Sequence, residues 1–294
     1  MDDNRELRRQ ARRAQARKRR VVAAGLLVVL ILGGGAAAAL SLHRSAPLAT
    51  TTTRPLRQFG ILFPEGFTRA QMAARVPVVA RIAERKGHHR VKLSKRAYLA
   101  ASRPRVVPGF GTKKLHMEGF LFPNTYDFDR KSTSSFLVQE QLQTFQQEWQ
   151  KVGMSYARSK NLTPYDVLKI ASMIQAESGT PGDNKLIAAV IYNRLHQGIN
   201  LGIDATLRYG LHLAPGAPIT QSELASTNLY NTRNHPGLPP TPIDNPGLAA
   251  MKAAAHPAHV DYLYYLKIPG SKKSYFTASY PDFVNHECQY GYGC

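Results

Sequence analysis

The longest apolar run comes early: Val21 to Leu42, VVAAGLLVVLILGGGAAAALSL, holds 22 residues without a charge. That length can span a bilayer as a helix. Arg17, Lys18, Arg19 and Arg20 directly before it predict that this end stays in the cytoplasm. A cleaved secretory signal is the competing reading, because the strongly apolar part is only Val21 to Leu32 and small residues follow. Either reading exports the rest of the chain. Residues 43–58, with four successive threonines and two prolines, show no apolar period and read as a linker.

Downstream the periods shorten and alternate. FPEGFTRAQMAARV predicts a short strand and then a helix opening at Thr68, with Met72 and Val76 four apart, and 59–105 reads as a small α/β subdomain. Pro104, Pro108, Gly109 and Gly111 mark a boundary, after which 106–287 forms the larger domain and 288–294 a tail. MEGFLFPNTYDF reads as strand and turn, and a Gln-rich helix is predicted from about Ser134 to Ser159. Thr163, Pro164 and Asp166 form a strong helix start, and the helix runs to the glycine at 179. A further helix is predicted from Asp183 to Gly198, with Ile187, Ile191 and Leu195 along one face. Another ends at His256, followed by a strand alternating at Tyr262, Tyr264 and Leu266, and by SYFTAS as its neighbour. The predicted class is α+β behind a single N-terminal transmembrane helix.

The candidate chemistry sits at the end of one of these helices. Val167, Ile170, Ile174 and Glu177 are spaced by three, four and three and share a face. A carboxyl ending an apolar stripe is pushed toward its protonated form by desolvation and by the negative end of the helix dipole, as a general acid near neutral pH requires. The plainer alternative is a glutamate at a frayed helix end that reaches solvent. Asn193 lies on the partly buried face of Leu186 and Val190, where it either bonds a neighbouring loop or meets a substrate. Asp204, in LGIDATLRYG, reads as part of a strand or loop and either orients a sugar hydroxyl or closes a turn. Thr220-Gln-Ser-Glu223 fits a capping box, which gives Glu223 a structural role. NLYNTRNHPGLPPTPIDNPG is stiffened by proline between aromatic and polar side chains. That combination suits sugar binding, with Tyr230, Asn231 and Thr232 as candidate contacts.

Charge narrows the partners only once export is assumed. Lys and Arg number 39 against 19 for Asp and Glu, a formal net charge of +20. The first twenty residues hold nine basic and three acidic side chains, so most of the excess is spread along the rest. Such a chain attracts polyanions, and export argues against nucleic acid. The basic run from Arg85 to Arg105 reads as a solvated surface or as a contact to an anionic polymer. Ten scattered histidines, with no HExxH, CxxC, GxSxG, P-loop or dinucleotide fingerprint, give no metal ligand set and no cofactor. Cys288 and Cys294 close the chain as CQYGYGC, either bridged or free.

With these residues in hand, the chain resembles the endolytic murein transglycosylases, the YceG-like family, from about Phe59 to Phe283. The resemblance rests on FPEGFT, MEGFLFPNTY, ASMIQAES, AAVIYNRL, LxxDxT from Leu201 to Thr206, YNT with GLPPTPIDNPG, KAAAHPA and DYLYYL, in that order. It implies a cytoplasmic N-terminus, one membrane span, a LysM-like subdomain shortened to about 59–105, and an extracytoplasmic YceG-like catalytic domain. That domain would cut the bond between N-acetylmuramic acid and N-acetylglucosamine in nascent strands and leave a 1,6-anhydro end. It further implies Glu177 as the catalytic acid, with Asn193, Asp204, Tyr230 and Asn231 lining the groove, and partnership with peptidoglycan synthases. One acid suffices for a lyase, because the muramyl C6 hydroxyl is the nucleophile, whereas a hydrolase ordinarily needs two carboxylates.

Gln175 stands where relatives often have Glu. Gly202 and Ala205 stand where they often carry Gln and Pro, Arg233 where Tyr is usual, and Ser274 where His is common. Two rival functions are a muramidase, with Asp204 or Glu223 as its second carboxylate, and a scaffold that binds glycan without cutting it.

Overall fold

A computed structural model describes residues 59–292, apart from His89 and Pro215. The expected basic segment 1–20, membrane span 21–42 and linker 43–58, and Cys294, lie outside the described residues. Among those described, no helix is long and apolar enough to cross a membrane.

Strand β1 (Phe59–Leu62) pairs antiparallel with β2 (Thr125–Phe128), in a register that sets Gly60 against Asp127 and Ile61 against Tyr126. Between them come α1 (Arg69–Gly87) and α2 (Lys95–Ala101). Helix α1 starts where the sequence places it: the Thr68 hydroxyl accepts from the Gln71 amide at 3.1 Å and the Gln71 side chain accepts from the Thr68 amide at 2.8 Å. Met72, Val76 and Val79 on α1 are fully buried. The β1–β2 ladder and an isolated bridge between Lys92 and Thr133 tie residues 59–105 to the larger domain.

The Gln-rich helix predicted over 134–159 is two helices, α3 (Ser134–Trp149) and α4 (Ser155–Ser159). The break follows from local chemistry. The amides of Lys151 and Val152 turn back three residues to the carbonyls of Glu148 and Trp149, and Gly153, a weak helix former, comes next. Buried Val152 and Met154 then fold under the core.

Helix α5 (Pro164–Glu177) is the centre of the molecule. It starts at the predicted Thr163 and Pro164, and Thr163 and Asp166 there form a capping box. Val167, Leu168, Ile170, Ala171, Met173 and Ile174 are all inaccessible to solvent, so α5 is buried on all sides rather than along one stripe. It packs against α6 (Asn184–His196), α7 (Asp204–Gly210) and α9 (Leu248–Ala255). The short α8 (Gln221–Leu224) has the expected Thr220–Glu223 box.

The second sheet pairs β3 (Tyr264–Lys267) with β4 (Ser274–Thr277), Tyr265 opposite Phe276, and α10 (Tyr280–Gln289) packs on this hairpin. The mixed α and β class is as predicted. The stretch around Asp204 is helix rather than strand or loop. Ile203 is extended and ends the preceding segment, and its carbonyl accepts from both the amide and the hydroxyl of Thr206, which winds the next turn. Cys288 is disulfide-bonded.

Candidate active site

Helix α5 delivers Glu177 from the core to the wall of a cleft of about 1310 Å³. Its last turn is closed by the Ser178 amide, which donates to the Ile174 carbonyl at 2.8 Å. At Gly179 a Cβ would stand 2.1 Å from the Lys272 carbonyl oxygen. Only glycine lets the β3–β4 turn come this close, and that approach sets the hairpin beside Glu177.

Burial pushes the Glu177 carboxyl up from the ordinary glutamate range. Lys267 on β3 opposes that shift most strongly, the Asp204 carboxylate adds to it, and the Ala205 amide and Arg208 lower it. The Tyr265 phenol lies beside Glu177, and burial, with the neighbouring Glu177 carboxylate, holds this phenol well above its usual range. Glu177 therefore has the mixed surroundings of a group that must exist in both protonation states: apolar enough to hold a proton, with cations and donors ready for the carboxylate.

Asp204 is in the same cleft but is already engaged. Its Oδ1 accepts from Arg233 Nη2 at 2.6 Å and Nε at 3.1 Å, and Arg208 Nη1 lies 3.9 Å from Oδ2. Arg233, which replaces the family's usual Tyr, thus neutralises this carboxylate. Gly202, another departure, has φ +63, a left-handed conformation that favours glycine. Its amide donates to the Thr232 carbonyl at 2.9 Å. Ser274, where His is common in the family, has a buried hydroxyl without a hydrogen-bond partner.

Four of the six predicted site residues lie away from the lining of this cleft. Asn193 does not reach the cleft. Its Nδ2 donates to the carbonyls of Val260 and Tyr262, each at 2.9 Å, and it lines a separate, shallower hollow with Tyr156 and His259. Asn231 is fully buried, donating to the carbonyls of Leu224 and Ser226 and accepting from the Arg233 amide. Thr232 is 1% exposed, and its hydroxyl accepts from the Ile203 amide at 2.9 Å and lies 3.0 Å from the Thr206 hydroxyl. Tyr230 does not line the cleft. Its hydroxyl pairs with that of Thr241 at 2.8 Å and its ring packs on Tyr209. Thr232 thereby holds the segment before Asp204, and the polar groups of the other three are engaged within the protein. Glu223 is likewise confined to its capping box, where the Thr220 amide and hydroxyl hold it below the ordinary range.

Several cleft residues carry no sequence assignment. Tyr265 and Lys267 fall two apart in β3, on one face, opposite to the Tyr264 and Leu266 alternation, and this period of two is the signal that finds them. Glu118 and Asp244 form a second acidic group in the cleft. Burial pushes Glu118 up to about 7, although the Arg69 amide, Asn245 and the Tyr209 hydroxyl all donate to it. Asp244 is raised further by complete burial, and its Oδ1 has no partner. Gln175 is structural: its Oε1 accepts from the Gly247 amide at 3.0 Å and ties α5 to the start of α9. Among the described residues, no group of three or more His, Cys, Asp or Glu could hold a metal ion.

The chain is similar to several known proteins. Endolytic murein transglycosylase of Streptococcus pneumoniae is 28% identical over 242 residues, which is 76% of this chain and 43% of that protein. The Bacillus subtilis protein of the same name is 33% identical over 152 residues, 51% of this chain and 41% of its own length. The matched region therefore spans less than half of these relatives. A crystal structure of a yceG-like protein from Listeria monocytogenes superposes with a TM-score of 0.66 at 27% identity, covering 77% of this chain and 75% of that one. The YceG-like family profile matches residues 37–288, which include Glu177, the cleft and the hairpin beside it, and the chain belongs to that family.

Proposed function

We propose that the chain is an endolytic peptidoglycan lytic transglycosylase with Glu177 as its single acid and base. The carrying observation is the Glu177 carboxyl, raised by burial at the end of α5 and on the wall of the cleft, with a phenol, an amide and two cations around it. The names of the pneumococcal and Bacillus relatives support the same reading.

In this mechanism the protonated Glu177 gives its proton to the glycosidic oxygen between N-acetylmuramic acid and N-acetylglucosamine as the C1–O bond breaks. The resulting carboxylate, held by Tyr265 and the Ala205 amide and favoured by Lys267 and Arg208, then removes the proton from the muramyl C6 hydroxyl. That oxygen attacks C1 and closes the 1,6-anhydro ring, which returns Glu177 to its starting state. The nucleophile is part of the substrate and already close, so ring closure is entropically favoured over attack by water. The muramidase rival needs a second free carboxylate. Of the two side chains that reading nominates, Asp204 is paired to Arg233 and Glu223 is held in its cap. Met1 to Leu42 supports a single membrane anchor with the catalytic part outside the cytoplasm, where peptidoglycan synthases would be neighbours.

The deciding experiment is mass spectrometry of uncrosslinked glycan strands digested by the protein, beside Glu177→Gln. Anhydro-ended fragments that vanish in the variant are expected. Reducing ends would establish a hydrolase instead, and intact strands a binding protein.

A further inference from the structure

One wall of the Glu177 cleft is built by α10 and the residues after it. Tyr264, Tyr280, Phe283 and Tyr292 all line this cleft. Tyr264 and Phe283 have ring centroids 5.3 Å apart and Tyr264 and Tyr280 5.5 Å apart, with the Arg194 guanidinium 5.2 Å from the Tyr264 centroid. This packing fixes a rigid aromatic base. Tyr280 and Tyr292 nevertheless remain 59% and 54% exposed.

Tyr292 is held in place although it lies three residues past the helix. Its hydroxyl donates to the Lys267 carbonyl at 2.9 Å and its amide to the Glu287 carbonyl at 2.9 Å. Large apolar rings held open along a cleft need a ligand with an apolar face and a polar rim, which is the character of a pyranose ring. The family match ends at residue 288, so Tyr292 lies beyond it.

We infer that Tyr280 and Tyr292 form a saccharide-stacking subsite that holds an N-acetylhexosamine ring of a glycan strand along this wall. The occupant follows from continuity with the Glu177 cleft and therefore rests on the function proposed above. The subsite contributes affinity for the strand, and the chemistry stays with Glu177.

The test uses the full chain in detergent and two readouts. With uncrosslinked glycan strands as substrate, Tyr280→Ala combined with Tyr292→Ala is expected to raise KM about tenfold and to change kcat by less than about threefold. Binding of the same strands is measured by calorimetry on Glu177→Gln, with and without the two alanines, and is expected to weaken by the same factor. Tyr280→Phe, which keeps the ring, retains affinity. Equal binding with and without the tyrosines, or no strand binding by Glu177→Gln, overturns the subsite. A wild type that binds strands but does not cut them overturns the lyase reading, and the binding comparison still decides the subsite.

Discussion

The Tyr265 phenol lies beside the Glu177 carboxyl, bringing a two-stranded hairpin to the end of the helix at the centre of the core. The contact matters because a phenol that donates to a carboxylate stabilises its charged form, whereas the surroundings that raise Glu177 favour the neutral one. Tyr265→Phe keeps the ring and removes the donor. Glu177 then rises further, so the basic limb of the pH–rate profile moves to higher pH. We expect kcat to fall about tenfold or more with KM little changed, read from steady-state kinetics between about pH 5 and 9.

The Arg233–Asp204 pair acts on the same carboxyl from the other side. Its members are 45% and 37% exposed, so Arg233→Ala should cost less than about 1 kcal/mol of stability. It leaves Asp204 with Arg208 at 3.9 Å, and the less compensated anion pushes Glu177 upward. Asp204→Asn should do the reverse, lowering the basic limb while the products keep anhydro ends. Loss of all cleavage in Asp204→Asn would instead indicate a two-carboxylate hydrolase.

Asn231 separates structure from substrate contact. Removing a buried amide with three partners leaves carbonyls and an amide unsatisfied, and Asn231→Ala should destabilise the fold by about 2–4 kcal/mol. KM at a temperature where the variant remains folded should be unchanged. Denaturant unfolding and kinetics on one preparation check both statements.

Glu118 makes folding stability depend on pH. Its carboxyl titrates at about 7 in the folded state against an ordinary 4.5, so the native protein holds the proton over that interval. Stability is therefore fully present below about 4.5 and declines as pH rises through about 7, by roughly 3 kcal/mol for this group. Asp244, also raised, acts in the same direction. Glu118→Gln cannot ionise and can still accept from the Arg69 amide and Asn245. Its urea midpoint should change less between about pH 5 and 8 than that of the wild type.

How far the sequence alone carries can be judged from single residues. The capping boxes at Thr68, Thr163 and Thr220 are local contracts among residues three apart, so the starts of α1, α5 and α8 are legible without a fold. Glu177 is legible for a related reason: a helical period of apolar residues fixes which face is buried, and the position of a carboxyl at its end follows. The stripe by itself understates the burial, since the other faces of α5 are covered by α6, α7 and α9. The split of the 134–159 helix is likewise beyond a count of helix-forming residues.

The partners of each polar side chain were decided only in three dimensions. Asn193, Tyr230, Asn231 and Thr232 have the chemistry of sugar contacts, and nothing in their spacing shows that backbone carbonyls, amides and neighbouring hydroxyls have already consumed it. Tyr265, Lys267 and Asp204 come from 27 to 90 positions away along the chain, and they meet at Glu177 because Gly179 admits the hairpin and Thr232 holds the turn before α7. Periodicity and caps are written in neighbouring residues, so the sequence by itself determined the helix that carries Glu177. Long-range hydrogen bonds and close backbone approaches depend on which surfaces the packed helices bring together, so only the tertiary structure decided what surrounds that carboxyl.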